Sequence, residues 1–213
     1  VTKELILDAA ETLFADSGFR ATSLRDITGV AGVNLASVHY HFGSKDALLT
    51  ALLERHFAPV NKRRIELLNE LEARFSDTAK LEDLVRAFLS PPFELFAKNT
   101  KKRTTLLRLV GRLHSEPDEI RTAFTAALQP TLRRFTAAFN KASPLINSEE
   151  AAWRTQFLVG AMAHTMLLGQ SFPIESSERT DPFDLLESLI KFGTAGLLAE
   201  KSQSKAALAA AQV

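Results

Sequence analysis

Apolar positions recur along the chain at three- and four-residue spacing, and no stretch alternates apolar and polar residues between turn signals. Leu5, Ala9, Leu13 and Phe14 make the first stripe, which stops at Ser17-Gly18, where glycine suits a left-handed helix end. Thr22 or Ser23 is placed to cap a second, short helix that carries Leu24, Ile27 and Ala31 inward. Gly32 breaks it, and a third short helix runs from about Asn34 to His41. A longer helix opens at Ser44-Lys45-Asp46 with Leu48, Leu52 and Leu53. Pro59 kinks or ends it before Val60, Ile65, Leu68 and Leu71 resume the stripe. Further helices are expected over about 80–97, 101–115, 118–142, 148–170 and 182–200, with Pro91-Pro92 and Pro130 bending or splitting two of them. Residues 143–148 and 173–181 read as loops. The pattern makes an all-α chain of about nine helices, with 201–213 as a flexible tail.

Composition adds exclusions. Hydrophobic residues at 46% and charged ones at 24% describe a folded chain of 213 residues. Lys+Arg 26 against Asp+Glu 25 gives a formal charge of +1, so no whole-chain polybasic case for nucleic acid exists. Without cysteine there is no disulfide frame, thiolate metal site or thiol nucleophile. No apolar run reaches the roughly 20 residues that span a bilayer, so no membrane partner and a cytoplasmic location are expected. His39 and His41 form an HxH pair, but positions two apart on a helix diverge by about 200° and do not share a metal easily. No Ser–His–Asp arrangement, carboxylate pair or phosphate loop stands out by spacing. Neither catalysis, a metal nor a cofactor is expected.

Two short helices joined by a tight glycine turn make a helix-turn-helix, whose second helix fits the major groove. Here the pair is Ser23–Ala31 and Asn34–His41 around Gly32-Val33, with Val33, Val38 and Phe42 facing inward. Upstream stand Ala9-Ala10, Leu13-Phe14 and Gly18-Phe19; downstream, Val38-His39-Tyr40-His41-Phe42-Gly43-Ser44-Lys45-Asp46-Ala47-Leu48. In this order the residues resemble the TetR family of one-component transcriptional repressors over about a quarter of the chain. Val33-Asn34-Leu35-Ala36 and Tyr40–Lys45 also resemble its PsrA-like branch, some members of which respond to fatty acids. His39 stands where the family commonly has Tyr, and Thr28 and Gly29 where small helix formers are usual.

The resemblance implies a helix-turn-helix DNA-binding domain over 1–48, a helical effector-binding and dimerisation domain over 49–200, and the tail 201–213. Thr22, Ser23, Tyr40 and His41 have donors suited to backbone oxygens, and Lys45 has a charge suited to a phosphate at a helix N-terminus. His39 offers an imidazole in place of a phenol. Arg25 is the candidate for a bidentate guanine contact, Asn34 and Ser37 for base edges, and Leu35 and Ala36 for thymine methyls. Residues 1–58 carry five basic and seven acidic residues, so positive potential has to be concentrated on one face and the salt dependence of DNA binding should be shallow. A chain opening at Val1 also leaves room for a basic arm ahead of it.

The remaining residues are more than a DNA reader needs, and eleven of the fifteen Phe lie beyond residue 60. They suit an apolar pocket, with Phe88, Phe96, Leu109, Leu113, His114, Phe124, Leu128, Phe157 and Met162 as candidate lining. The resemblance implies a small apolar effector there, a fatty acid, acyl-CoA or drug-like aromatic. Gly160, Ala161, His164 and Leu168, with Leu189, Phe192 and Gly196, are candidates for a homodimer interface of two helices from each subunit. Two reading heads would then meet a palindromic operator, from which effector would release the repressor. His114 and His164 are otherwise core or pocket residues. Two other readings stay open: a DNA-binding protein controlled by a protein partner or constitutive, and a helical hydrolase or transferase using His114 or His164.

Overall fold

The computed structural model describes residues 1–97, 105, 108, 109, 111, 118–143, 146–168 and 181–200. Among them are eight α-helices: α1 (Thr2–Ser17), α2 (Leu24–Ala31), α3 (Leu35–Phe42), α4 (Lys45–Phe75), α5 (Leu81–Ala97), α6 (Asp118–Ala142), α7 (Ser148–Leu168) and α8 (Pro182–Leu198), with a 3-10 turn at Ser76–Thr78. No strand occurs among the described residues. The expected helix over 101–115 and the tail 201–213 lie largely outside them, as do Leu113, His114 and the side chains of Phe96 and Leu168.

Local chemistry sets the first boundaries. Gly18 closes α1 at φ 87°, its N–H donating to the Phe14 carbonyl at 3.0 Å. Ser23 and Asp26 form a reciprocal cap on α2: the Ser23 hydroxyl accepts from the Asp26 N–H, and the Asp26 carboxylate accepts the Ser23 N–H at 2.8 Å. Gly32, left-handed at φ 66°, ends α2. Asn34 and Ser44 cap α3 and α4 through the Ser37 and Ala47 amides.

α4 runs 31 residues, about 46 Å at 1.5 Å per residue, and continues past Pro59. The helix does not end there, nor is α5 split at Pro91-Pro92 or α6 at Pro130. A proline forfeits one helical hydrogen bond, but Leu52, Leu53, Val60 and Leu68 are buried on both sides of Pro59, and tertiary packing keeps the rod continuous. Two apolar clusters meet along this helix. The first joins Ile6, Ala10 and Phe14 of α1 to Ile27, Val38, Leu48, Leu49, Leu52 and Leu53, and it also takes in Leu109. The second gathers Leu68, Val85, Phe88, Phe135, Phe139, Leu158, Ile190 and Leu197, its Phe88 and Phe135 rings 5.1 Å apart. The residue-48/49 boundary therefore falls inside one helix, and Leu49, Leu52 and Leu53 belong to the first cluster.

Leu5, expected on the inward stripe of α1, is exposed; Ile6, Leu7 and Ala10 are buried in its place. At the other end α7 and α8 pack closely. A Cβ at Gly193 would stand 2.4 Å from Leu158 Cδ2, so any side chain there would have to displace the Leu158 methyl. Buried Arg154 of α7 donates to the carbonyls of Gly196 at 3.0 Å, Leu197 at 3.3 Å and Ala199, satisfying acceptors at the end of α8.

Candidate nucleic-acid interface

α3 is anchored on one side and bare on the other. Val38 is fully buried, with Val33 and Phe42 partly buried against the first cluster, whereas Leu35, Ala36, His39, Tyr40 and His41 are exposed. Tyr40 is 86% exposed, its ring meeting His41 edge-on at 5.1 Å. A bulky aromatic left in water on an eight-residue helix has no role in the fold.

The other candidate residues divide by what already holds them. Arg25 is exposed on α2. Ser23 is committed as a cap, and its hydrogen bonds hold the Asp26 carboxyl below the usual range, so the first turn of α2 keeps a negative charge. Asn34 Oδ1 accepts from both the amide and the hydroxyl of Ser37, which leaves the Asn34 amide group as the free edge. His39 Nδ1 lies 3.0 Å from the Gly43 carbonyl, which ties the ring back to the end of α3. Lys45 is half-buried, its ammonium 4.3 Å from the Phe19 ring centroid, at the start of α4.

Thr22 is corrected outright. It is 2% exposed, and its hydroxyl donates to the Gly18 carbonyl at 2.8 Å, with that of Leu13 at 3.3 Å. Its side chain ties the end of α1 to the start of α2 and is not offered to a backbone phosphate. Lys3 was missed: its ammonium lies 5.8 Å from the Phe42 ring, which brings a cation of α1 beside the last turn of α3. Only contact in space reveals this, since Lys3 and Phe42 are far apart in sequence.

Behind this face, Arg55 of α4 meets Asp8 at 2.7 Å, Glu4 at 3.4 Å and Glu11, and His56 Nε2 lies 3.1 Å from Glu11. Burial pushes the Glu11 carboxyl up, but the His56 hydrogen bond and the charges of His56 and Arg55 outweigh it and hold the group below its ordinary value. Three acids of α1 thus gather around one arginine of α4.

The described candidate pocket residues divide between the two clusters, and only Phe88 and Met162 meet, at Arg64. Phe88 is sealed in the second cluster, Leu109 belongs to the first, and Phe124 packs on the first with its ring 5.3 Å from that of Phe57. Leu128 is buried, and Met162 is half-buried against the second cluster. Phe157 is corrected: it is 64% exposed, stacked with Trp153 at 6.4 Å, on the outer face of α7. A cleft of about 870 Å³ opens instead between α6 and α7, lined by Gln129, Arg133, Thr136, Asn140, Trp153 and Gln156 among others. Of the candidate interface residues, Gly160, His164, Phe192 and Gly196 are exposed, and a Cβ at Gly160 or Gly196 would meet nothing. Leu189 is corrected to the second cluster, and Ala161 packs against that cluster too. Among the described residues no group of three His, Asp or Glu could hold a metal, and no helix is long and apolar enough to cross a membrane.

Residues 6–52 match the model of bacterial regulatory proteins of the tetR family, and residues 86–196 that of the tetracyclin repressor-like C-terminal domain. Among curated relatives, the HTH-type transcriptional repressor KstR2 of Rhodococcus jostii is 46% identical over 48 residues, 22% of this chain and 24% of that protein. NemR of Escherichia coli, also an HTH-type transcriptional repressor, is 36% identical over 76 residues, 36% of this chain and 38% of its own length. The matches thus span well under half of these relatives. A TetR-family transcriptional regulator from Bordetella parapertussis shares the fold at TM-score 0.64 and 19% identity, over 94% of this chain and 97% of that one. A bacterial regulatory protein in the tetR family from Rhodococcus does so at 0.65 and 16%, over 94% and 98%.

Proposed function

Because the chain belongs to the tetR family of bacterial regulatory proteins, we propose that it is a homodimeric, effector-responsive repressor that reads a palindromic operator with α3. The observation that carries this reading is the one-sided burial of α3, with Val38 locked into the core and Leu35, Ala36 and Tyr40 presented to solvent. In the proposed roles Arg25 reads a base edge, the Asn34 amide and Ser37 flank it, and Lys45, His39, His41 and Lys3 serve phosphates. Pairing with Arg55 draws Glu4, Asp8 and Glu11 of α1 toward α4, which gathers part of the head's negative charge around one cation.

Dimerisation is assigned to the outer faces of α7 and α8. Trp153, Phe157 and Phe192 are 59%, 64% and 67% exposed, more aromatic surface than a monomer of this size normally leaves wet. Effector binding in the body would reach the head through α4 and through Leu109 and Phe124, which pack on the head cluster, and Arg108, which pairs with Asp16 at 2.6 Å. The effector is a small, mostly apolar molecule; the PsrA-like resemblance favours a fatty acid or acyl-CoA. Binding releases DNA only if the effector prefers the conformation that does not fit the operator.

The test is selection of bound duplexes from a random pool, followed by titration of the selected site. Arg25→Ala should blur preference at particular base pairs, and Lys45→Ala should weaken all duplexes alike. Phe157→Glu should give monomers and lose operator binding. A wild-type chain that sediments as a monomer and ignores every duplex ends the proposal.

A further inference from the structure

Arg64 of α4 lies at 3% exposure in the middle of the body, and its partners among the described residues are all neutral. Its Nε donates to the Phe88 carbonyl at 2.7 Å, Nη1 reaches Asn61 Oδ1 at 3.5 Å, Nη2 meets Met162 Sδ at 3.3 Å, and the guanidinium lies 4.3 Å from the Phe88 ring centroid. Only the first is a good hydrogen bond; 3.5 Å is marginal and a thioether is a weak acceptor. A guanidinium has five N–H donors, so the Nη1–Nη2 edge is underused. Burial pushes this cation down to about 9, as expected of a buried charge short of a counter-charge. Nature tolerates buried charge when something pairs with it.

We propose that the Nη1–Nη2 edge of Arg64 is the anchor for the carboxylate of an effector whose remaining body is apolar. Asn61 and Met162 occupy that edge as weak placeholders, and a carboxylate replaces them with two parallel charge-assisted bonds. Asn61 is held from the other side, its Nδ2 donating to the Ala127 carbonyl of α6 at 3.1 Å, so its 3.5 Å approach to Arg64 is the weaker of its two contacts. One guanidinium, with the Asn61 amide already committed, matches a single negative charge and not a phosphate dianion. Phe88 and the adaptable Met162 supply apolar contact beside the head group. The assignment rests on the effector-responsive reading and sharpens it: a free acid is recognised by its charge, and a thioester of the same chain is not. Since Arg64 stands on the helix that also builds the head, its pairing acts on the rod that positions α3.

Calorimetric titration of the full-length protein with dodecanoate, dodecanol and methyl dodecanoate tests this, read together with release of the selected duplex. Dodecanoate is expected to bind about 10- to 100-fold tighter than either neutral probe, the worth of a charge-assisted bidentate contact. Arg64→Met, checked for folding by its melting curve, should erase that preference. Asn61→Asp sets a carboxylate of the chain beside the guanidinium. It gives up the bond to the Ala127 carbonyl, and should weaken dodecanoate by about tenfold or more, which keeps the test decisive if Arg64→Met does not fold. Equal binding of the three probes, no binding of dodecanoate, or an undiminished acid preference in Arg64→Met overturns the proposal. Release of DNA by dodecanol alone would leave effector control standing while removing Arg64 from it. Tight, Arg64-dependent dodecanoate binding without release would keep the anchor and end the release mechanism.

Discussion

Two arginines about two and a half turns apart on α4 live in opposite surroundings. Arg55, in the half that builds the head, is surrounded by Glu4, Asp8 and Glu11. Arg64, in the half that enters the body, is more deeply buried and meets a carbonyl, an amide oxygen and a thioether. Between them sits Pro59, which cannot supply the N–H that would bond to the Arg55 carbonyl. The cation that ties the head to α4 therefore has its counter-charges within the chain, and the body half holds a cation that the described residues leave unbalanced. A reading head gains from fixed geometry, and a sensor gains from an interaction that is completed only when its ligand arrives.

The largest expected effect comes from breaking the compensated side. Arg55→Met strands three carboxylates on α1, one of them mostly buried, and should cost about 1–3 kcal/mol, less than a fully buried pair because Glu4 and Asp8 are solvated. Urea unfolding at neutral pH measures it, and amide exchange in α1 should rise more than in α5. The corresponding change on the other side should behave differently. Arg64→Met removes an unbalanced buried charge but also takes the donor from the Phe88 carbonyl, which Pro92 cannot replace; the two effects oppose, so stability without effector should stay within about 1 kcal/mol of wild type. Equal losses from the two substitutions would erase the contrast and make Arg64 an ordinary clip between α4 and α5.

Much of the head was legible from sequence because its determinants are local. Ser23, Gly32, Asn34 and Ser44 act within a turn of themselves, and the glycine break with its flanking caps sets where both short helices begin and end. Thr22 was misread because a hydroxyl before a helix looks like a phosphate donor until the end of α1 is found packed against it. The body was legible as helices but not as a site. Phe88, Phe157 and Leu189 have the same apolar character in sequence, yet the first and last are buried in one cluster and Phe157 lies on an outer face. Which side of a helix meets another helix depends on residues far away in the chain. Arg64 carried no local signal either: within a run of Lys62, Arg63 and Arg64 it reads as solvated surface, and only the packing of α5 and α7 over α4 shows otherwise.

The smallest expected effect separates the two halves by acid. Glu11 binds its proton less readily in the folded chain than in the unfolded one, because the opposing pull of burial is exceeded by His56 and Arg55. Its contribution is therefore fully present above the ordinary carboxylate range and is lost as pH falls through the lower folded value, where the unfolded chain has already taken up the proton. Melting of the head, followed by amide exchange or by a fluorophore placed on α3, should decline over that interval. Glu11→Gln should be less stable at neutral pH and show a flatter decline below about pH 5. The body, where Arg64 has no carboxylate to lose among the described residues, should show no matching decline from that position, which the lone Trp153 on α7 can report. Parallel acid limbs in head and body, both unaltered by Glu11→Gln, would mean that the Arg55 cluster does not set the head on α4, and that the two halves unfold as one.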